Sequence, residues 1–127
     1  MKNKLLIVSI LHIMLFYISC DSETYPRGKR IYDIYCENCH MSDGTGLPPM
    51  YPSLHKSSYL AANLEELPCL IKNGKKSQIA KNVAMPGVEL NDIDMANLIN
   101  YINHQWGSKK PISSKLIQQY GEDCSIE

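Results

Sequence analysis

The chain has 127 residues, 44% of them hydrophobic and 20% charged. That is one domain of ordinary globular balance, which excludes a disordered polar chain and a large multi-domain enzyme. Thirteen Lys and Arg face thirteen Asp and Glu, so no basic field supports nucleic-acid binding. Five cysteines are many for a short chain in a reducing compartment, which makes location and thiol chemistry the first questions.

Met1, Lys2, Asn3 and Lys4 form a short basic start, and residues 5–18 carry no charge. The stretch is too short for a comfortable membrane span and suits the core of a signal peptide. It ends in Tyr17-Ile18-Ser19-Cys20. A small residue before a cysteine resembles the processing site of bacterial lipoproteins, in which Cys20 is lipidated and becomes the new N-terminus. Tyr17 departs from the aliphatic residue usual at its position, and an ordinary cleaved signal with Cys20 incidental is the alternative. On either reading residues 1–19 are a signal and the protein is exported. The mature chain, from Cys20, keeps eleven basic and thirteen acidic side chains, a net −2.

Residues 20–26 are polar and read as a tether. Residues 27–39 read as a helix, with Ile31, Ile34 and Tyr35, and Tyr32 and Cys36, at spacings of three and four. Residues 42–58 hold Gly44, Gly46, Pro48, Pro49 and Pro52 without a period and read as loop. Asn63 suits a turn. Pro68 suits the start of a short helix that runs through Leu70 and Ile71 to Gly74. Residues 75–90 are irregular again. Asn91 is an N-cap, with Asp92 and Asp94 in the favoured first turn of a helix reaching Trp106 and stopped by Gly107. Ser113 caps a last short helix through Tyr120. No strand alternation is visible, so the expected class is all-α: three to four short helices with long loops. Loops of that length pack poorly alone, and a large apolar cofactor would complete the core.

Cys36-Glu37-Asn38-Cys39-His40 is C-x-x-C-H, the pattern of c-type haem attachment. Two thiols three apart lie on one side of a helical turn and can add to the two vinyl groups of one porphyrin. His40, next in sequence, reaches the iron. A thioredoxin-like redox pair would need a preceding strand and a βαβ pattern, and neither is visible. A zinc site would need a fourth ligand; His55 is conceivable, but no second Cys/His pair follows.

With these residues quoted, the chain resembles a class I monohaem cytochrome c over about residues 27–106. Gly28 and Tyr32, four apart and ahead of Cys36, match the family's N-terminal helix. Leu98 and Tyr101, three apart, match its C-terminal helix. The resemblance implies one covalent haem c on Cys36 and Cys39, in a domain spanning 27–107, with 108–127 as an extension. It implies a methionine opposite His40. Met85, followed by Pro86-Gly87, fits the family's position; Met50 is the second candidate, while Met41 adjoins His40 and Met95 lies within a helix. A soft thioether favours Fe(II) and raises the potential. It implies also that a proline carbonyl after the motif orients His40; Pro52 matches best, ahead of Pro48 and Pro49.

The mature chain has no Phe, so Tyr and Trp supply its aromatic packing. Tyr51, Tyr59 and Trp106 are candidates to hydrogen-bond haem propionates, or simply core. Cys69 and Cys124 remain unassigned, and in an exported chain they suggest a disulfide, with two free thiols as the alternative. Lys72, Lys75, Lys76 and Lys81 precede Met85, either as a solvated loop or as a basic rim that steers an acidic partner. The function expected is electron transfer at a membrane surface in the periplasm, between a redox donor and acceptor of a respiratory chain. Filled axial positions leave no substrate site and no enzyme activity. A five-coordinate haem sensor or haem enzyme is the alternative if Met85 does not ligate, and a small zinc-binding module is the other.

Overall fold

A computed structural model gives the fold over residues 23–55, 57–76, 83–108, 110–122 and 124. The expected signal (1–19), Cys20 and Lys81 lie outside the described residues.

Helix α1 spans Pro26–Tyr35, with Pro26 in the first turn, where its fixed φ suits a helix and its missing N–H costs nothing. The expected helix over 27–39 is in fact two pieces. Cys36 sits at φ −119°, off the helical value. The ladder breaks there and resumes as the single turn α2, Glu37–His40. Apolar spacing does not register a one-residue break, because the side chains on either side keep their faces. Met41 ends the turn at φ 63°.

Two further short helices follow: α3, Ser58–Ala61, and α4, Leu67–Asn73. Pro68 lies at the start of α4 and Gly74, at φ 73°, ends it. Beyond Gly74 the expectation of no strand is corrected. Strand β1 (Lys75–Lys76) pairs antiparallel with β2 (Ala84–Met85), Lys75 opposite Met85 and Lys76 opposite Ala84. Two residues per strand leave no alternation to read.

The longest helix, α5, spans Asp92–Trp106. The Asn91 side chain accepts from the Asp94 N–H at 2.9 Å, and Asp92 and Asp94 complement the dipole. Helix α6, Ser114–Glu122, begins where Ser113 Oγ accepts from the Leu116 N–H at 3.3 Å. Among the described residues no helix is long and apolar enough to cross a membrane.

Helices α1 and α5 cross at Gly28. A Cβ there would stand 2.1 Å from the Asn97 carbonyl oxygen and 2.7 Å from Tyr101 Cβ, so only glycine permits this approach. Arg27 pairs with Asp94 beside the crossing. The core lies beneath it: Tyr32, Leu98 and Ile99 are fully buried, with Leu60, Leu67, Ile71, Ile102, Ile112 and Ile117 around them.

The described residues of 108–122 fold back onto α5. Asn100 holds Ile112 in both directions, its Nδ2 donating to the Ile112 carbonyl at 2.9 Å and its Oδ1 accepting from the Ile112 N–H at 2.7 Å. Buried Asn103 donates to the Lys110 carbonyl at 2.6 Å and accepts from the Ser108 N–H at 2.9 Å. Cys69 in α4 is bonded to Cys124, just past α6.

Candidate functional site

The α1–α2 junction presents three reactive side chains in one turn. Cys36 and Cys39 are both unbonded and half-buried. The His40 N–H returns to the Cys36 carbonyl at 2.9 Å, which closes the turn around the two thiols. Burial, assisted by Cys39, pushes the Cys36 thiol up to about 12. It is therefore a thiol at neutral pH. A thiol held protonated in this way is not itself the nucleophile of a disulfide exchange.

The loop after His40 folds back to orient the imidazole. Gly46 N–H donates to the His40 carbonyl at 3.0 Å, Leu54 N–H to the Gly44 carbonyl at 2.8 Å, and Leu47 and Tyr51 form a bridge. Gly46, at φ 64°, lets the chain pass tightly: a Cβ there would lie 2.5 Å from the Tyr51 carbonyl oxygen. The result places the Pro52 carbonyl 3.0 Å from His40 Nδ1. A carbonyl only accepts, so Nδ1 carries the proton and Nε2 keeps its lone pair. Burial lowers the pKa of His40, outweighing the opposing hydrogen bond to Pro52, so the ring stays neutral and able to ligate.

Tyr32 donates to the Met41 carbonyl at 2.6 Å and ties α1 to the end of the motif turn. Burial raises the pKa of this phenol, which keeps the donor protonated. Trp106 packs on Tyr32 and Tyr101, with ring centroids 5.2 and 5.9 Å apart, and its indole lies over Gly44. This aromatic cluster joins the C-terminal helix to the loop beside His40.

Met85 lies elsewhere in the chain's path, half-buried in β2 and packed against the core. Of the other methionines, Met50 is 47% exposed in the Leu47–Tyr51 turn, Met95 is buried within α5, and Met41 caps the His40 turn. Tyr59 accepts from Lys75 Nζ at 3.0 Å, on the Met85 side. Tyr51 is half-buried in the loop whose Pro52 faces His40. Lys72, Lys75 and Lys76 are exposed. Among the described residues no three His, Cys, Asp or Glu side chains converge as a zinc site requires.

The family profile described as "Cytochrome c" matches residues 25–106. The chain belongs to the cytochrome c family. It is 31% identical over 103 residues to a protein named "Alcohol dehydrogenase (quinone), cytochrome c subunit" of Gluconobacter oxydans (strain 621H), covering 72% of this chain and 21% of that one. It is 32% identical over 95 residues to "Cytochrome c-552" of Thermus thermophilus, covering 67% of this chain and 72% of that one. The chain thus spans about a fifth of the first relative's length and most of the second's.

As a class I cytochrome c the chain carries a covalent haem c and serves haem-based electron transfer. Its residues fit that group: two free thiols three apart, then a neutral imidazole with one nitrogen already engaged. Sequence reasoning missed Tyr32 as a donor to the motif turn, and Asn100 and Asn103 as clamps. No local pattern marks the clamps, because α5 carries Asn97, Asn100 and Asn103 alike.

Proposed function

We propose that this cytochrome c is an exported one-electron carrier with His40 and Met85 as axial ligands and Cys36 and Cys39 as the points of covalent attachment. The observation that carries this reading is the His40 ring: neutral, fixed by Pro52, and beside two free thiols. When bound, the haem iron supplies the electron-accepting and electron-donating centre. The chain's own residues do the rest. Pro52 holds the proton on Nδ1, which leaves the Nε2 lone pair available. The Tyr32 and Trp106 cluster would brace the motif turn. Met85, on a half-buried loop strand, would supply the second ligand; Met95 is committed to the helix core and Met50 to an exposed turn. With Met85 as a second ligand no iron position would be left for substrate, which favours a carrier over a haem sensor or enzyme.

The N-terminal segment supports export with a lipid on Cys20, which would hold the domain at a periplasmic membrane surface. Membrane fractionation of cells expressing the full chain checks this. The name of the Gluconobacter relative supports a respiratory partner, with this chain either a free carrier or an electron-transfer subunit. Exposed Lys72, Lys75 and Lys76 beside the Met85 strand would then steer an acidic partner.

The carrier reading is tested by spectroelectrochemical titration of the haem-matured protein under CO. A reversible one-electron wave with slow CO binding is expected. Rapid CO binding to the reduced protein would instead make it a five-coordinate sensor or enzyme.

A further inference from the structure

We infer that the C-terminal extension, through the Cys69–Cys124 disulfide, positions the Met85 segment. The inference rests on the reading of Met85 as an axial ligand.

The Met85 segment has little structure of its own. Its strand is two residues long, and its partner strand is equally short. What holds it is the end of α4. The Val88 N–H donates to the Ile71 carbonyl at 2.8 Å. A Cβ on Gly87 would lie 2.4 Å from the Lys72 carbonyl oxygen, and one on Gly74 would lie 2.3 Å from the Met85 carbonyl oxygen. Backbone therefore rides on backbone between residues 71–74 and 85–88, and Met85 goes where α4 goes.

Helix α4 is itself only seven residues. A helix that short does not persist without tertiary support. Leu67 and Ile71 anchor it in the core, and a further brace comes from the far end of the chain. Cys69, in the middle of α4, is bonded to Cys124. Helix α6, just before Cys124, buries Ile117 in the core. Its approach is fixed to α5 by the Asn100 and Asn103 clamps on Ile112 and Lys110. The line of support thus runs from α5 through the clamps to α6, across the disulfide to α4, and from α4 to Met85. Cys69 and Cys124 are positioning residues for the ligand strand, 16 or more positions away from Met85 in sequence.

The test uses imidazole, which competes with a methionine for ferric iron. The full-length, haem-matured parent, Cys69→Ser/Cys124→Ser and Met85→Ala are titrated with imidazole, with far-UV circular dichroism followed alongside. The double variant should bind imidazole at least about ten times more tightly than the parent with its helix signal unchanged, because an unbraced segment releases its ligand more often. Ile31→Ala, which loosens packing from the α1 side, should leave the imidazole affinity near the parent value. An unchanged affinity in the double variant, or an equal shift in Ile31→Ala, overturns the brace. If Met85→Ala binds imidazole as the parent does, the ligand assignment fails instead. Should the double variant not fold, the parent holoprotein is treated with a dithiol, alkylated, reoxidised and titrated in the same way, with the same two outcomes.

Discussion

The turn bearing Cys36, Cys39 and His40 and the strand bearing Met85 are held by different means. The first hangs from the crossing of α1 and α5, two helices of ten and fifteen residues packed backbone to backbone at Gly28. The second hangs from a seven-residue helix and a two-residue ladder, stapled to a C-terminal helix by a disulfide. The first side is held by direct packing of the two longest described helices, at a crossing that joins Gly28 to Asn97 and Tyr101. The second side borrows its rigidity from chain 55 residues beyond Cys69. On the proposed reading of Met85 as a ligand, its two-residue strand would depend on that staple, whereas the motif turn rests on a direct helix–helix crossing.

Breaking the staple tests the contrast with the largest expected effect. Closing a loop of this length corresponds to about 4 kcal/mol in the chain-entropy model, so Cys69→Ser/Cys124→Ser should lower the urea unfolding free energy by about that amount. A change within error would place the support elsewhere.

Gly28→Val attacks the other side. The added carbons meet the Asn97 carbonyl and Tyr101, and overpacking of this kind costs about 3 kcal/mol. The loss should appear in urea unfolding, with looser His40-side packing seen in the near-ultraviolet dichroism of Trp106.

Asn103→Ala should cost less, about 2 kcal/mol, because it leaves the Lys110 carbonyl and the Ser108 N–H without their partner. Hydrogen exchange should rise first in residues 110–122 and leave α1 protected. Equal exchange in α1 would show that the extension and the crossing form one unit rather than two.

The same contrast explains what was legible in the sequence. The α1–α5 side announces itself, because Gly28, Tyr32, Leu98 and Tyr101 sit at helical spacings and Asn91 caps the helix by local chemistry. The expectation of one continuous helix over 27–39 misses the break at Cys36, since a single off-helical residue does not disturb the apolar period. The Met85 side is quieter. Strands β1 and β2 are too short for a period. Asn100 and Asn103 act through tertiary contacts that no local pattern encodes. Pro52 and the Cys69–Cys124 pair were nameable from residue type and from the resemblance. The fold that presents the Pro52 carbonyl depends on Gly44 and Gly46 at positive φ, which composition flags only as loop.

The central claim is that this cytochrome c holds its iron between His40 and Met85. It is tested most directly by the absorption spectrum of the oxidised, haem-matured protein beside Met85→Ala and Met50→Ala. The account predicts a weak far-red sulfur-to-iron band in the parent, kept in Met50→Ala and lost in Met85→Ala. A band that survives in Met85→Ala, or is absent from the parent, contradicts it.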